Sequence, residues 1–303
     1  MPLCRVLITE ENERSNIMSI DIEIIQKGLF KKKLDYKTII GDLGYGVYEN
    51  NRLTEGKLGG DFIVYDKKRI GRGISIVCSK DEKDKISLRL LSPTCEEEID
   101  AFYGIIERIA KLWKCNILQD GEAVEPNNLG AICADMKKAN NSYLRLMLDK
   151  NGDFRDGTVT LFSAMWQLDL GDEDKAEILA ADDIVKAYGD WLHRLQEMDV
   201  YYAVPKFYQT DGGILGMYFI TENTESAIPL VPSVPFGVTD GEGNPLEVSN
   251  WVVSFYSITR DETVGRMSYE KFVEKVKDKG RRYDASRIII GGMSDSELDA
   301  LLA

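Results

Sequence analysis

Three runs of strictly alternating side chains, followed at once by a strongly amphipathic segment, restrict the first half of this chain to a sheet covered by helix. Ile20, Ile22 and Ile24 share one face of a run whose other face carries Ser19, Asp21 and Glu23. Ile74, Ile76 and Cys78 alternate with Ser75 and Val77, and Ile86, Leu88 and Leu90 alternate with Ser87 and Arg89. A period of two is the mark of a half-buried strand, and the charged residues 79–85 between the last two runs read as a hairpin turn. Residues 61–65 read as a further strand. Pro93-Thr94 then introduces a helix in which Ile99, Phe102, Tyr103, Ile106, Ile109, Ala110 and Trp113 recur at helical spacing. Thr94-x-x-Glu97 reads as its capping box, and Glu96, Glu97 and Glu98 complement the positive end of its dipole. The apolar face of such a helix has to be buried, and the hairpin before it supplies the surface.

The same logic carries to the end of the chain. A second helix is expected over 127–148, with Leu129, Ile132, Cys133, Met136, Tyr143 and Met147 as its stripe. The turn residues Gly152, Asp153, Asp156 and Gly157 then mark a boundary. Beyond it, strand signals at 158–166, 200–204, 216–221, 251–258 and 287–290 mix with helical ones at 182–198 and 269–279. Ser294-x-x-Glu297 caps a short terminal helix. Pro229, Pro232 and Pro235 make 228–236 an edge or a loop. The reading is an α+β chain with mixed and antiparallel sheets, amphipathic helices packed on one face, and two subdomains. The expected divisions are a flexible N-terminal extension (1–17), an N-terminal α+β subdomain (18–150) and an acidic C-terminal α+β subdomain (151–303). Met18 reads as the physiological start.

The charge is unevenly placed. Residues 1–150 carry 24 basic and 24 acidic side chains, and residues 260–303 carry nine of each. Residues 151–259 carry five basic and 18 acidic ones, which accounts for the formal net charge of −13. From Phe207 to Thr259 there is no Lys or Arg. An acidic surface of this kind repels nucleic acid and anionic membrane and attracts a basic partner. No apolar run approaches the roughly 20 residues of a membrane span, and the N-terminus lacks the pattern of a secretory signal. The cytoplasm is the expected compartment, and five widely spaced cysteines without a C-x-x-C agree with it.

Motifs that carry chemistry are weak throughout. The single histidine, His193, excludes multi-histidine metal sites and reads as a helix-surface residue. Asp149-x-Asn151-x-Asp153 opens like a calcium loop, but Phe154 stands where glycine is needed and Thr160 where a bidentate glutamate is needed. Gly71-Arg72-Gly73 opens a strand instead of a helix, so it offers no phosphate site. Lys67-Lys68-Arg69 and Lys31–Lys33 are local basic turns, too small for a nucleic-acid face. Cys95, at the first turn of the predicted helix, is the one cysteine whose position favours reactivity.

Five strings carry a family resemblance: Lys27-Gly-Leu-Phe-Lys-Lys-Lys33, Lys68-Arg-Ile-Gly-Arg-Gly73, Leu88-Arg-Leu-Leu-Ser-Pro-Thr94, Glu98-Ile-Asp-x-Phe-Tyr103 and Glu107-Arg-Ile-Ala110. In these the chain resembles the bacterial domain-of-unknown-function family numbered 4299, from about Met18 to the C-terminus. The resemblance implies a bacterial source and transfers no activity, cofactor or site.

The expected function is therefore binding in preference to catalysis. The acidic region 151–259 is expected to dock a basic protein, with Asp172, Glu173, Asp174, Asp182, Asp183, Asp240 and Glu242 as candidate partner-facing residues. No catalytic, cofactor-binding or metal-binding residue is assigned, and neither nucleic acid nor membrane is expected as a partner. The alternative is an enzyme or small-ligand binder with a carboxylate-lined, metal-dependent cleft. A third reading is a structural subunit of a larger assembly.

Overall fold

A computed structural model describes residues 19–49, 52–54, 60–78, 84–149 and 157–303. The expected extension 1–17 and start at Met18, the residues 79–83 read as part of a hairpin turn, and residues 150–156 of the calcium-loop-like stretch lie outside the described residues. The chain divides into two compact units between Glu197 and Met198.

The N-terminal unit is built on one eight-stranded sheet. Its strands are β1 (Ser19–Gln26), β2 (Gly44–Glu49), β3 (Arg52–Thr54), β4 (Phe62–Asp66), β5 (Ile70–Val77), β6 (Lys85–Leu91), β7 (Cys115–Gln119) and β8 (Glu122–Val124), in the order β3-β2-β4-β5-β6-β1-β7-β8. Every neighbouring pair is antiparallel. The alternation read from sequence is the burial pattern observed: Ile20, Ile22 and Ile24 are inside, and Asp21 pairs outside with Arg89 of β6. Helix α1 (Tyr36–Ile40) is capped by Asp35. The long helices α2 (Glu96–Leu112) and α3 (Leu129–Leu148) follow. Ile99, Phe102, Ile106 and Ile109 of α2 enter one core with the inner strand residues. Burial of each such side chain contributes about 1.5–3 kcal/mol, which outweighs the poor helix propensity of four isoleucines.

The expected capping box is shifted by one residue. The N-cap of α2 is Cys95, whose side chain makes no capping bond. Thr94 and Glu98 meet instead, the Thr94 hydroxyl donating to Glu98 Oε2. The strand β5 lies against this turn and supplies backbone N–H groups that draw the Glu98 carboxylate inward.

Residues 157–197, which the sequence pattern groups with the C-terminal half, belong to the N-terminal unit. They form a hairpin of β9 (Val159–Phe162) and β10 (Gln167–Leu170), then α4 (Asp172–Leu179) and α5 (Ile184–Gln196). The Ala164 N–H and the Gln196 side-chain amide both donate to the Gly71 carbonyl. A Cβ at Gly71 would stand 2.8 Å from Leu192, and Gly73 has φ +87°. The two glycines of Gly71-Arg72-Gly73 thus let α5 and the hairpin reach the start of β5.

The C-terminal unit carries two four-stranded sheets. One contains β12 (Lys206–Thr210), β13 (Gly213–Thr221), β15 (Asn250–Ser257) and β16 (Glu262–Ser268) in chain order, with β13 and β15 parallel. The other runs β11 (Tyr201–Tyr202), β14 (Ser226–Pro229), β18 (Arg287–Ile290), β17 (Arg281–Arg282). Helix α6 (Tyr269–Val276) and α7 (Asp295–Leu302) share their core, and Ser294 and Glu297 form the expected capping box of α7. Only the first two residues of the proline-rich piece, Ile228 and Pro229, enter an interior strand, β14, which lies between β11 and β18 and is wholly buried; residues 230–236 form the expected loop. Pro229 is its last residue, and the bonding toward the β18 side continues past it through the Leu230 N–H to the Ser286 carbonyl, so the missing proline N–H interrupts none of it. The molecule is α+β.

Candidate functional site

The C-terminal unit contains a groove of about 450 Å³ between α6, the start of β15 and the loop after β14. Trp251 and Tyr269 make its floor aromatic, and the buried Tyr218 backs them from beneath. Tyr218 lies 4.8 Å from Tyr269 and 5.8 Å from Trp251, centroid to centroid. Trp251 lies flat over Gly216, where a Cβ would come within 2.3 Å of the indole. The glycine therefore sets the position of the half-buried Trp251 along the groove.

The loop wall is held by hydrogen bonds. Tyr269 OH donates to the Pro229 carbonyl at 2.7 Å, and the Leu230 N–H donates to Ser286 at 2.8 Å. Tyr218 OH donates to Ser233 at 3.4 Å, and burial pushes the Tyr218 phenol up to about 12, so it stays a donor. Between these anchors Leu230 and Val231 face solvent, Val231 with 76% of its surface exposed. The opposite wall is one face of α6: Tyr269, Glu270, Val273, Glu274 and Lys277. Lys277 pairs with Glu274 at 2.9 Å. Glu270, on the first turn, meets no cation among the described residues. Ser249 and Asn250 close one end. The groove thus combines an apolar wall, an aromatic floor and one uncompensated carboxylate. That set suits a ligand with an apolar body and a cationic end.

The acidic candidates do not gather at this groove. Asp172, Glu173, Asp174, Asp182 and Asp183 belong to the N-terminal unit, and Asp240 and Glu242 to the C-terminal one. Asp174 is 1% exposed and accepts from Trp191 Nε1 at 3.0 Å and from the Gly171 N–H at 3.0 Å, so it faces inward. Asp183 caps α5 through the N–H groups of Val185 and Lys186. Asp240 organises its own turn by accepting from Glu242 and Asn244. Asp172, Glu173, Asp182 and Glu242 are exposed. The groove residues Leu230, Val231, Trp251 and Glu270 were missed by sequence reasoning. The available signal was an apolar pair between prolines inside a stretch lacking Lys and Arg.

The N-terminal unit holds a polar centre of a different kind. Glu98 is fully buried, and its Oε2 accepts from the Gly71 and Arg72 N–H groups at 2.9 Å and from Thr94. Its Oε1 has no partner among the described residues. Burial holds its carboxyl above the usual range, against the pull of those donors. Arg72 donates to the carbonyls of Phe162 and Pro93. Asn140 bonds both the N–H and the carbonyl of Thr94 at 2.8 Å. Cys95 is 3% exposed, and burial together with the Glu98 charge pushes its thiol up to about 12. A thiol so placed is almost wholly protonated at neutral pH, so the favourable helix position confers no nucleophilicity. These groups tie β5 to the start of α2.

His193 bonds Glu197, the C-cap of α5, at 3.0 Å, but its side chain is only 15% exposed and its Nε2 is buried without a partner among the described residues, so it is not the freely exposed helix-surface residue expected. Among the described residues no three His, Cys, Asp or Glu side chains are placed to hold a metal ion, and no helix is long and apolar enough to cross a membrane.

The fold and groove define an α+β protein of two units with a built cleft in the second. Residues 19–301 match the family described as Domain of unknown function (DUF4299), and the chain belongs to that family, as the strings from Lys27 to Ala110 imply. No curated protein and no solved structure matches the chain.

Proposed function

We propose that this protein is a non-catalytic bacterial interaction protein of the cytoplasm that holds a basic segment of another protein in the groove of its C-terminal unit. The observation that carries the reading is the apolar wall of Leu230 and Val231 facing the unpaired Glu270, in a unit whose residues 207–259 contain no Lys or Arg. Apolar side chains of the segment cover Leu230, Val231 and Trp251, and an Arg or Lys meets Glu270. Exposed carboxylates such as Glu242 contribute mainly to the rate of encounter.

The test uses a fluorescent peptide of leucines flanking arginine. Anisotropy should report binding that weakens steeply with salt, since the carboxylate is exposed. Val231→Asp should abolish binding by removing the apolar contact, and Glu270→Lys should weaken it at least tenfold by replacing attraction with repulsion. Binding equal in both variants and in the unaltered chain sinks the reading.

The groove volume also supports a second reading, a site for a small organic cation. Small amines would then raise the melting temperature by mass action where the peptide does not.

A further inference from the structure

The loop after β1 presents two large apolar side chains to water. Leu29 is 96% exposed and Phe30 94%, the most exposed large apolar residues described. This exposure is built. The buried Gln26 closes the neck of the loop, its Nε2 donating to the Lys32 carbonyl at 3.2 Å and its Oε1 accepting from the Lys32 N–H at 2.9 Å. Trp113 Nε1 donates to the same carbonyl at 2.9 Å. The Lys27 N–H donates to the Lys114 carbonyl at 2.6 Å, and Lys31 pairs with Asp84 at 2.8 Å. Gly28, with φ +90°, turns the chain at the tip. A neck with five such bonds therefore holds out two side chains whose ordinary place is a core.

The collar around the tip is cationic. Lys27, Lys32 and Lys33 meet no carboxylate within ion-pair distance among the described residues. Apolar side chains at the centre and cations around them match the depth profile of a lipid–water interface, where the acyl boundary lies beneath a layer of phosphates. A protein partner fits less well. A stable protein interface covers about 800 Å² on each side, and two side chains on a convex tip provide far less. A bilayer needs no complementary area.

We propose that the Leu29–Phe30 tip docks the protein reversibly on an anionic membrane surface, with Lys27, Lys32 and Lys33 against the lipid phosphates. The acidic character of the whole chain does not prevent this. Charges more than about 8 Å from the contact are largely screened at physiological salt. Each lysine near such a surface contributes roughly a fivefold gain in partitioning. This site is separate from the groove, and either can fail without the other.

The experiment is co-sedimentation of the full chain with vesicles of phosphatidylcholine alone and of phosphatidylcholine with phosphatidylglycerol. Binding should favour the anionic vesicles and fall with salt. The double change L29D/F30D should reduce it at least tenfold, and the neutralising K27Q/K32Q/K33Q about a hundredfold by the same count of lysines. Melting temperatures should stay unchanged, because all five side chains are exposed. Both variants should bind the leucine–arginine peptide as the unaltered chain does. Equal binding to both vesicle types, or unaltered binding by the tip variants, overturns the proposal. Capture of an acidic protein through the tip, without vesicle binding, overturns it as well.

Discussion

Each unit buries a glutamate, and the two are treated in opposite ways. Glu98 in the N-terminal unit directs all its described hydrogen bonds to one oxygen and leaves the other bare. Glu222 in the C-terminal unit spreads its donors over both oxygens: Ser257 and the Thr259 N–H reach Oε2 at 2.9 and 2.7 Å, and the Thr259 hydroxyl reaches Oε1 at 2.7 Å. Burial dominates at Glu98 and raises its carboxyl. The Thr259 N–H and hydroxyl dominate at Glu222 and lower it. Burial by itself does not decide whether a carboxylate prefers its charge. The balance between desolvation and donors does: desolvation is the largest cause at Glu98 and is outweighed by the Thr259 donors at Glu222.

The comparison is most open to attack at Arg72, the cation beside Glu98. Arg72→Met should cost about 3–5 kcal/mol in urea unfolding, because it strands two buried carbonyls and leaves Glu98 without a nearby positive charge. A loss under 1 kcal/mol would mean that the centre is not organised as described. Removing one donor at Glu222, as in Ser257→Ala, should cost less, since other donors remain on both oxygens.

The next effect is a pair of opposite pH dependences. Folded Glu98 holds its proton more tightly than the unfolded chain does. Its contribution is therefore full below the ordinary value near 4.5 and declines as the pH rises toward the folded value. Glu222 stabilises above 4.5, and that contribution is lost as the pH falls through its lowered folded value. Relative to Glu98→Gln, the unaltered chain should lose melting temperature as the pH rises above 4.5. Relative to Glu222→Gln, it should lose melting temperature as the pH falls below 4.5. Two profiles of the same sign would erase the distinction between the units.

The smallest effect is an expected silence. Cys95, with its thiol pushed up to about 12, should resist iodoacetamide at pH 8 in the folded protein and react after unfolding. Mass spectrometry of the alkylated peptides reads this directly. Modification of native Cys95 within minutes would show that the turn between β6 and α2 opens.

Much of this architecture was legible before any coordinates. The periods at Ile20, Ile74 and Ile86 are the strands β1, β5 and β6, and the stripe from Ile99 to Ile109 is the buried face of α2. Periodicity is a local property, and the core enforces it. The short strands β7 and β8 escaped because they span too few residues to display a period, and α4, as long as α6, escaped because its sequence of charged residues carries no apolar stripe. The position of residues 157–197 escaped because it depends on a distant close approach, α5 against Gly71. The groove escaped for the same reason: Leu230, Trp251 and Glu270 are brought together by the parallel pairing of β13 with β15 and by α6, across 40 residues of chain.

What residue order alone determined is the alternation that makes strands, the stripe that makes helices, the charge imbalance of the middle third and the family to which the chain belongs. These are sums over neighbours in sequence. Tertiary structure decided which acidic groups are spent inside, as Asp174 and Glu98 are, and which apolar groups are held outside, as Leu29, Phe30 and Val231 are. A side chain's exposure and the number of donors it meets depend on elements distant along the chain, and only folding brings those elements into contact.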